Sequence, residues 1–291
     1  MWISSNWLWR LTKQSLDGWV EDRAASMGAA LAYYTMFSIA PLLLIVITVA
    51  GAVFGEDAAR GMVFSQLAGL IGDNGAEMVQ VMLKGARNSD RAIFSAVVSA
   101  VTLFIGATTV FAELQTDLNL IWKANSNPGS GVWTFIRTRL LSFGMVLGIG
   151  FLLIVSLIMS AMVSAFSKLW GGWFSDVEWL LHAVNFLVWF LIITALFAMI
   201  YKILPGVKIA WTDVWIGAAV TSLLFAVGKF VIGVYIGKSA ISSSFGAAGA
   251  FIVLVAWVYY SAQIFLLGAE FTCVYAHRRG SRSGATSMEA I

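Results

Sequence analysis

Long apolar segments alternate with short polar ones along most of the chain. Six of them are long enough to cross about 30 Å of hydrocarbon as helices, which takes roughly 20 residues each. Because unpaired backbone groups are costly in lipid, the pattern predicts an all-α, polytopic membrane protein. Pro41, midway along the first segment, is predicted to kink its helix. The predicted spans are residues 28–54, 92–111, 140–166, 184–204, 214–236 and 247–274.

The N-terminal segment, residues 1–27, is predicted to contain a cytoplasmic helix that lies in the membrane interface. Between Trp7 and Arg23, apolar residues recur at helical spacing and charged residues take other positions. A helix of this kind lies with its apolar side among the lipid headgroups. The stripe consists of Leu8, Leu11, Ser15, Leu16 and Trp19.

Two further segments lie outside the spans. Residues 55–91 form a predicted outer loop with two short apolar stripes, which predict amphipathic helices. Residues 275–291 form a predicted cytoplasmic tail. We expect all of these segments to belong to one membrane domain, residues 1–291.

Composition supports this class of protein. Hydrophobic residues make up 60% of the chain and charged residues only 11%, with a mean hydropathy of +0.86. A soluble domain carries about 25% charged residues, and a disordered chain is far less apolar, so both classes are excluded. One cysteine and two histidines leave no intramolecular disulfide and no zinc site of the usual type.

The distribution of Lys and Arg predicts the orientation. Six crossings place both termini on one side, and that side holds 11 of the 18 positive residues, whereas the other side holds six. Cytoplasmic loops carry the excess of positive charge. We therefore expect a multi-pass protein of the bacterial inner (plasma) membrane with both termini in the cytoplasm.

The remaining positive residue, Lys229, lies inside the fifth span. At 1.5 Å per residue it is roughly 10 Å below the outer end of that span. An ammonium group there costs on the order of 2–3 kcal/mol unless it meets a cavity or a partner. Two interpretations are open. Lys229 either lines a polar pathway, or it extends its ammonium to the outer headgroups.

Two carboxylates, Glu113 and Glu270, are predicted to close helices on the cytoplasmic side. Each would oppose the dipole of its helix and need a compensating partner, such as Arg139. Two carboxylates at one depth can also share a proton, and the alternative is a structural ion-pair network. Further hydrogen-bonding groups predicted in this layer are Tyr33, Tyr34 and Asn119.

The sequence contains none of the common motifs that indicate catalysis or nucleotide binding. It has no P-loop, no Gly-x-Ser-x-Gly elbow and no evident nucleophile–base pair or metal-ligand set. It also has no basic groove interleaved with aromatic residues on a soluble domain. We expect no enzymatic activity, no cofactor, no metal and no nucleic-acid partner.

Short motifs extend from the first span to the last. They are Ala30-Leu31-Ala32-Tyr33-Tyr34 with Pro41, Phe111-Ala112-Glu113-Leu114, Leu204-Pro205-Gly206-Val207, Gly228-Lys229 and Gly268-Ala269-Glu270. Over about residues 10–277 the sequence resembles the YihY/BrkB family of bacterial inner-membrane proteins. The resemblance implies six spans but no settled activity. Members have carried a ribonuclease label that is regarded as a misassignment, and others are described as transporters, some suspected of handling lipids or envelope components.

Two functions from different classes remain open. The first is a transporter-like protein that moves a solute or a lipid-like amphiphile, with Lys229 facing the pathway from outside and the Glu113/Glu270 layer closing it from inside. The second is a non-catalytic membrane scaffold or envelope-assembly factor. The expected partners are membrane lipids and an unknown solute or amphiphile, with a second copy of the chain or an envelope protein as a further partner.

Overall fold

A computed structural model describes residues 5–65, 67–68, 76–77, 80, 92–124, 178–238 and 241–283. Within these ranges every regular element is helical, which confirms the predicted all-α class for the described residues. Residues 56–65 form one short helical segment. The six long helices are α1 (Ser5–Glu21), α2 (Ala24–Phe54), α3 (Ala92–Ile121), α4 (Glu178–Ile203), α5 (Trp211–Lys238) and α6 (Ile241–Arg278).

Five of the six predicted spans fall on helices α2 to α6. The other, residues 140–166, lies outside the described residues, and so does Arg139. Among the residues that the structure describes, three helices are long and apolar enough to cross a membrane. The segments are Phe186–Ile203 of α4, Trp211–Ile232 of α5 and Phe251–Arg278 of α6.

The helices continue beyond the apolar segments that predict them. Helix α3 ends at Ile121, and Leu118 and Ile121 are buried on its last turns. Glu113 and Glu270 therefore do not close their helices, since each lies eight residues, about two turns, before the helix end. Hydropathy marks only the apolar part of a helix, and it misses final turns that are apolar on one face alone.

Helix α6 is at the centre of the packing. It contacts α1, α2, α3 and α5, while α3 also packs on α2 and α4 packs on α5. Helices α2 and α5 begin at the same end of the bundle at which α3, α4 and α6 end. We call this end of the bundle the α1 end. The buried core of the described residues is concentrated there and includes Leu118, Tyr201, Val214 and Leu266.

Helices α5 and α6 approach closely through small residues. A Cβ atom added at Gly217 of α5 would lie 1.9 Å from Thr272 Oγ1, and one added at Gly268 of α6 would lie 2.0 Å from Thr221 Oγ1. Each glycine stands four residues before a threonine, which is the small-xxx-small spacing that lets membrane helices pack closely. The buried hydroxyl of Tyr201 joins α4 to this contact by donating to Phe265 O at 2.7 Å.

Helix α1 has three faces rather than the two predicted. Leu11 and Ser15 are buried on the bundle, whereas the polar side carries residues such as Arg10 and Asp17. The third face is apolar and exposed. The predicted stripe is therefore split, because Leu11 and Ser15 are buried whereas Leu8 and Leu16 are exposed. Its members are Leu8, Trp9, Leu16 and Val20.

Large apolar side chains are also exposed on the other long helices. Patches of this extent are normally covered by a partner or by lipid, and on apolar helices of this length they are the surface that a bilayer covers. Examples are Phe37 of α2, Ile105 of α3, Leu187 of α4, Phe230 of α5 and Ile252 of α6.

Candidate functional site

Lys229 lies in the far half of α5, against helix α4. Its Nζ atom is 5.7 Å from the ring centroid of Trp189, and its side chain is half-buried. That distance is within the range of a cation–π interaction. Among the described residues, Lys229 has no carboxylate within ion-pair distance. The charge is therefore held by an aromatic face and has no described counter-ion.

The surroundings of this lysine–tryptophan pair, Lys229 and Trp189, are apolar and exposed. Phe186 stacks on Trp189 with a centroid distance of 6.4 Å and is itself exposed. Phe230, next to Lys229, is 73% exposed. A cation beside exposed aromatic side chains suits a molecule that has an anionic headgroup and an apolar tail.

Glu270 lies at the α1 end and is only 4% exposed. Helix α1 comes close to it, since a Cβ atom added at Gly18 would lie 2.7 Å from Glu270 Oε2. The charges of Asp22, which follows α1, and of Lys123, beyond the end of α3, act on Glu270. Its other oxygen, Oε1, has no hydrogen-bond partner among the described residues.

Glu113 has different surroundings. It is half-buried on α3, and its charge acts on Asp117, one turn further along the same helix. Asp117 is 4% exposed, and its Oδ2 atom has no hydrogen-bond partner within the described part of the chain. The predicted association of Glu113 with Glu270 remains a prediction, because the described neighbours of Glu270 come from α1, its following turn and the end of α3.

The other predicted polar residues take separate positions. Asn119 accepts the Gly206 N–H through its Oδ1 atom at 2.7 Å, which ties α3 to the α4–α5 turn. Tyr33 is exposed and packs edge-on against the half-buried Tyr34. Helix α2 continues through Pro41, and a bend there remains a prediction.

Sequence reasoning missed Asp117, Asp22 and Gly18. Asp117 follows Glu113 by one helical turn, so its spacing was a signal that was available. Nothing in the sequence places Gly18 or Asp22 against Glu270, because that contact joins residues about 250 positions apart. Within the described ranges, no group of three or more His, Cys, Asp or Glu side chains is arranged to hold a metal ion.

Burial and the nearby Glu113 charge raise the pKa of Asp117 to about 7. Its ordinary value is near 4, so the folded state binds a proton more tightly than the unfolded state. The contribution of Asp117 to stability is therefore fully present below about pH 4 and is lost as the pH rises through about 7.

We expect Asp117→Asn to flatten this dependence and to raise the Tm by a few degrees at about pH 8. Thermal melts of the detergent-solubilised chain over a pH series measure the effect. Asp17→Asn, which replaces an exposed aspartate on α1, is the control and should follow wild type. Identical pH slopes in wild type and Asp117→Asn would contradict the prediction.

These features define the class of protein. The chain is a helical membrane protein with buried carboxyl groups at the α1 end and an aromatic-bound cation in the far half of α5.

A model of the family described as "Virulence factor BrkB" matches residues 15–290, so the chain belongs to that family. This confirms the resemblance predicted from the motifs. The UPF0761 membrane protein of Verminephrobacter eiseniae is 24% identical over 99% of this chain and 69% of its own length. Those of Aeromonas salmonicida and Vibrio atlanticus are each 27% identical, over 86% and 90% of this chain and 83% and 81% of their own lengths. No solved structure matches the chain.

Proposed function

We propose that this protein moves an anionic amphiphile, of the lipid class, across or within the bacterial inner membrane. In this proposal it crosses the membrane six times and keeps both termini in the cytoplasm. The positive-inside distribution of Lys and Arg supports that orientation. In that orientation Lys229 would lie toward the outer leaflet and the α1 end toward the cytoplasm.

The proposal depends on the partners that surround the Lys229 ammonium group. A cation inside an apolar helix is costly, and a purely structural one is normally paired with a carboxylate. Lys229 instead has an aromatic partner, Trp189, and no acidic partner among the described residues. It is therefore available to bind an anionic headgroup.

Exposed side chains beside Lys229 favour an amphiphile over a small polar solute. Phe186 and Phe230 present apolar surface next to the ammonium group, and acyl chains are able to lie along it while the headgroup meets the charge. A small polar anion would gain nothing from that surface.

At the α1 end, Glu270 and Asp117 supply the inner part of the proposed path. Each is buried, and each keeps one oxygen without a hydrogen-bond partner within the described residues. A static ion-pair network, as a scaffold would use, is expected to satisfy such oxygens. With no nucleotide-binding motif in the sequence, energy would come from an ion gradient or from a partner.

Water access at position 229 tests this proposal. In a Cys273→Ser background, we would introduce Lys229→Cys or Phe230→Cys and treat intact cells with a membrane-impermeant maleimide. We expect strong labelling at position 229, because a headgroup path needs water, and little at position 230, whose exposed side chain would face lipid. A membrane-permeant maleimide after denaturation confirms that both thiols are present.

Failure of position 229 to label in folded protein would contradict an externally open path. A scaffold, whose lysine is packed against Trp189 without water, would give that result. Equal labelling at positions 229 and 230 would also contradict it, since general solvent exposure would explain both.

A further inference from the structure

We propose that a second lysine–tryptophan pair, Lys202 and Trp211, binds the headgroup of an anionic lipid at the α1 end of helices α4 and α5. The inference rests on the proposed function in one respect: if the protein moves an anionic amphiphile, this pair holds it at the end opposite Lys229. Binding itself depends only on the contacts, exposure and charge of the pair.

Lys202 and Trp211 meet across the turn between α4 and α5. The Lys202 Nζ atom is 5.4 Å from the ring centroid of Trp211, within the range of a cation–π interaction. The ammonium group also donates to Ile209 O, but it has three N–H donors, so this bond leaves others for a ligand. Among the described residues, Lys202 has no carboxylate within ion-pair distance. Its charge is therefore available to an anion.

This pair repeats the arrangement of Lys229 and Trp189 with the helices exchanged. In the far half of α5 the lysine comes from α5 and the tryptophan from α4, whereas at the α1 end α4 supplies the lysine and α5 the tryptophan. Trp211 and Lys229 are about five helical turns apart, so they lie on the same face of α5. Their separation along the axis, about 27 Å, is close to the roughly 30 Å of a bilayer's hydrocarbon. The two pairs would therefore lie toward opposite headgroup layers.

Exposed apolar side chains lie beside this pair, as they do beside Lys229. Trp211 is itself 52% exposed, and Ile203 and Trp215, close to the pair in sequence, are exposed as well. Tryptophan at a membrane interface offers an apolar ring to acyl chains and an N–H group to headgroups. Acyl chains would gain from this surface, whereas a free anion would not, so the expected ligand is a lipid.

The charges near the pair favour an anion. Lys208, in the α4–α5 turn, is exposed and adds a second positive charge. Asp213, in the first turn of α5, is only 3% exposed. Its Oδ2 atom accepts the backbone N–H of Ser281 at 2.8 Å and the Ser281 hydroxyl at 2.7 Å. This carboxylate is therefore engaged by the segment that follows α6 and does not neutralise Lys202.

A buried hydroxyl group lies between the two lysine–tryptophan pairs. Ser222 is on the α5 face that carries Trp211 and Lys229, it is fully buried, and its Oγ atom has no hydrogen-bond partner among the described residues. The hydroxyl groups of Thr194 and Thr221 instead donate to the carbonyl four residues earlier in their own helices. The Ser222 hydroxyl is thus available to a headgroup that passes from one pair to the other.

Fluorescence quenching by spin-labelled lipids measures the lipid composition next to Lys202. In a Cys273→Ser background, we would introduce Ile203→Cys, attach a bimane fluorophore and reconstitute the full chain into phosphatidylcholine vesicles. The quencher is phosphatidylglycerol or phosphatidylcholine with a nitroxide near the top of one acyl chain. The variants are Lys202→Gln, which loses the charge but is still able to donate to Ile209 O, and Lys202→Arg. Lys208→Ala removes an exposed lysine from the same turn and is the matched control.

We expect phosphatidylglycerol to be preferred over phosphatidylcholine by about fivefold, the effect of one lysine on an anionic lipid. The preference should vanish in Lys202→Gln and remain in Lys202→Arg and Lys208→Ala. If Lys202→Gln does not fold, a bimane at Leu120→Cys, an exposed position near the end of α3 at the α1 end, supplies the comparison. The preference at position 203 should then exceed that at position 120.

Several results would overturn the proposal. They are equal quenching by the two lipids at position 203, a preference that Lys202→Gln leaves unchanged, and an equal loss in Lys208→Ala, which would indicate attraction to general positive charge. A preference no greater at position 203 than at position 120 would have the same meaning. A preference that millimolar inorganic phosphate abolishes would show that the pair takes a free anion instead of a lipid.

The quenching does not depend on transport. A lipid preference at position 203 in a protein that transfers no lipid would contradict the proposed function and leave this binding site intact. Lipid transfer without any preference at position 203 would overturn the binding site and leave the proposed function intact.

Discussion

Gly268→Ala is expected to lower the Tm of the detergent-solubilised chain by about 5–10 °C. The added methyl group would lie 2.0 Å from Thr221 Oγ1 and 2.7 Å from the Tyr201 hydroxyl. Neither neighbour moves easily, because Tyr201 is fully buried and Thr221 is packed between α5 and α6. The helices must separate, or the Tyr201 hydroxyl must lose its partners.

Both outcomes are costly. Overpacking a filled core typically costs about 1–3 kcal/mol. A buried hydroxyl left without partners costs about 1–3 kcal/mol more. The hydroxyl of Tyr201 donates to Phe265 O and lies 3.2 Å from Thr221 Oγ1, so one displacement disturbs the junction of α4, α5 and α6.

Two further variants make this prediction specific. Gly61→Ala adds the same methyl group to the helical segment 56–65, where nothing lies within 4 Å of the new atom, and it should leave the Tm unchanged or slightly higher. Adding Thr221→Ala to Gly268→Ala removes the closest clash and should restore part of the lost Tm. A Gly268→Ala protein as stable as Gly61→Ala would show that α5 and α6 do not approach closely at this point.

Hydrophobic patterning predicted most of the described helices, because the apolar segments are long and few. The ends of α3 and α6 were missed, since their last turns are apolar on one face only. The α5–α6 contact had a signal in the sequence, the Gly-xxx-Thr spacing at positions 217 and 221 and again at 268 and 272. This spacing indicates that a helix face packs closely against another helix, but it does not identify that helix.

The sequence was sufficient to predict which residues belong to the candidate site, but not which residues they contact. Lys229 stands out because it is a charge inside an apolar segment, and Glu270 because it is an acid near the end of one. Depth along a helix gives no rotation about its axis, so neither Trp189 beside Lys229 nor Gly18 beside Glu270 was predictable. Those contacts depend on how the helices pack.

Removing the Lys229 charge is expected to have the largest effect on function. If the ammonium group recruits an anionic headgroup, Lys229→Ala should slow amphiphile transfer about tenfold, which corresponds to losing about 1.4 kcal/mol of attraction. Lys229→Arg keeps the charge and is able to stack on Trp189, so it should retain most of the rate. Lys208→Ala removes an exposed lysine at the α1 end and should behave as wild type.

Transfer of a fluorescent anionic lipid between the leaflets of reconstituted vesicles is the measurement that tests the central claim most directly. Phosphatidylglycerol with a dithionite-quenchable fluorophore is placed in both leaflets, and added dithionite quenches only the molecules that reach the outer leaflet. The assay is run with and without a pH gradient, beside labelled phosphatidylcholine and protein-free vesicles. We predict quenching beyond the outer-leaflet fraction in wild-type vesicles, reduced in Lys229→Ala and retained in Lys229→Arg. The proposal that the protein moves an anionic amphiphile through Lys229 would be contradicted by wild-type transfer that is no faster than in protein-free vesicles. It would also be contradicted if Lys229→Ala left the transfer rate unchanged.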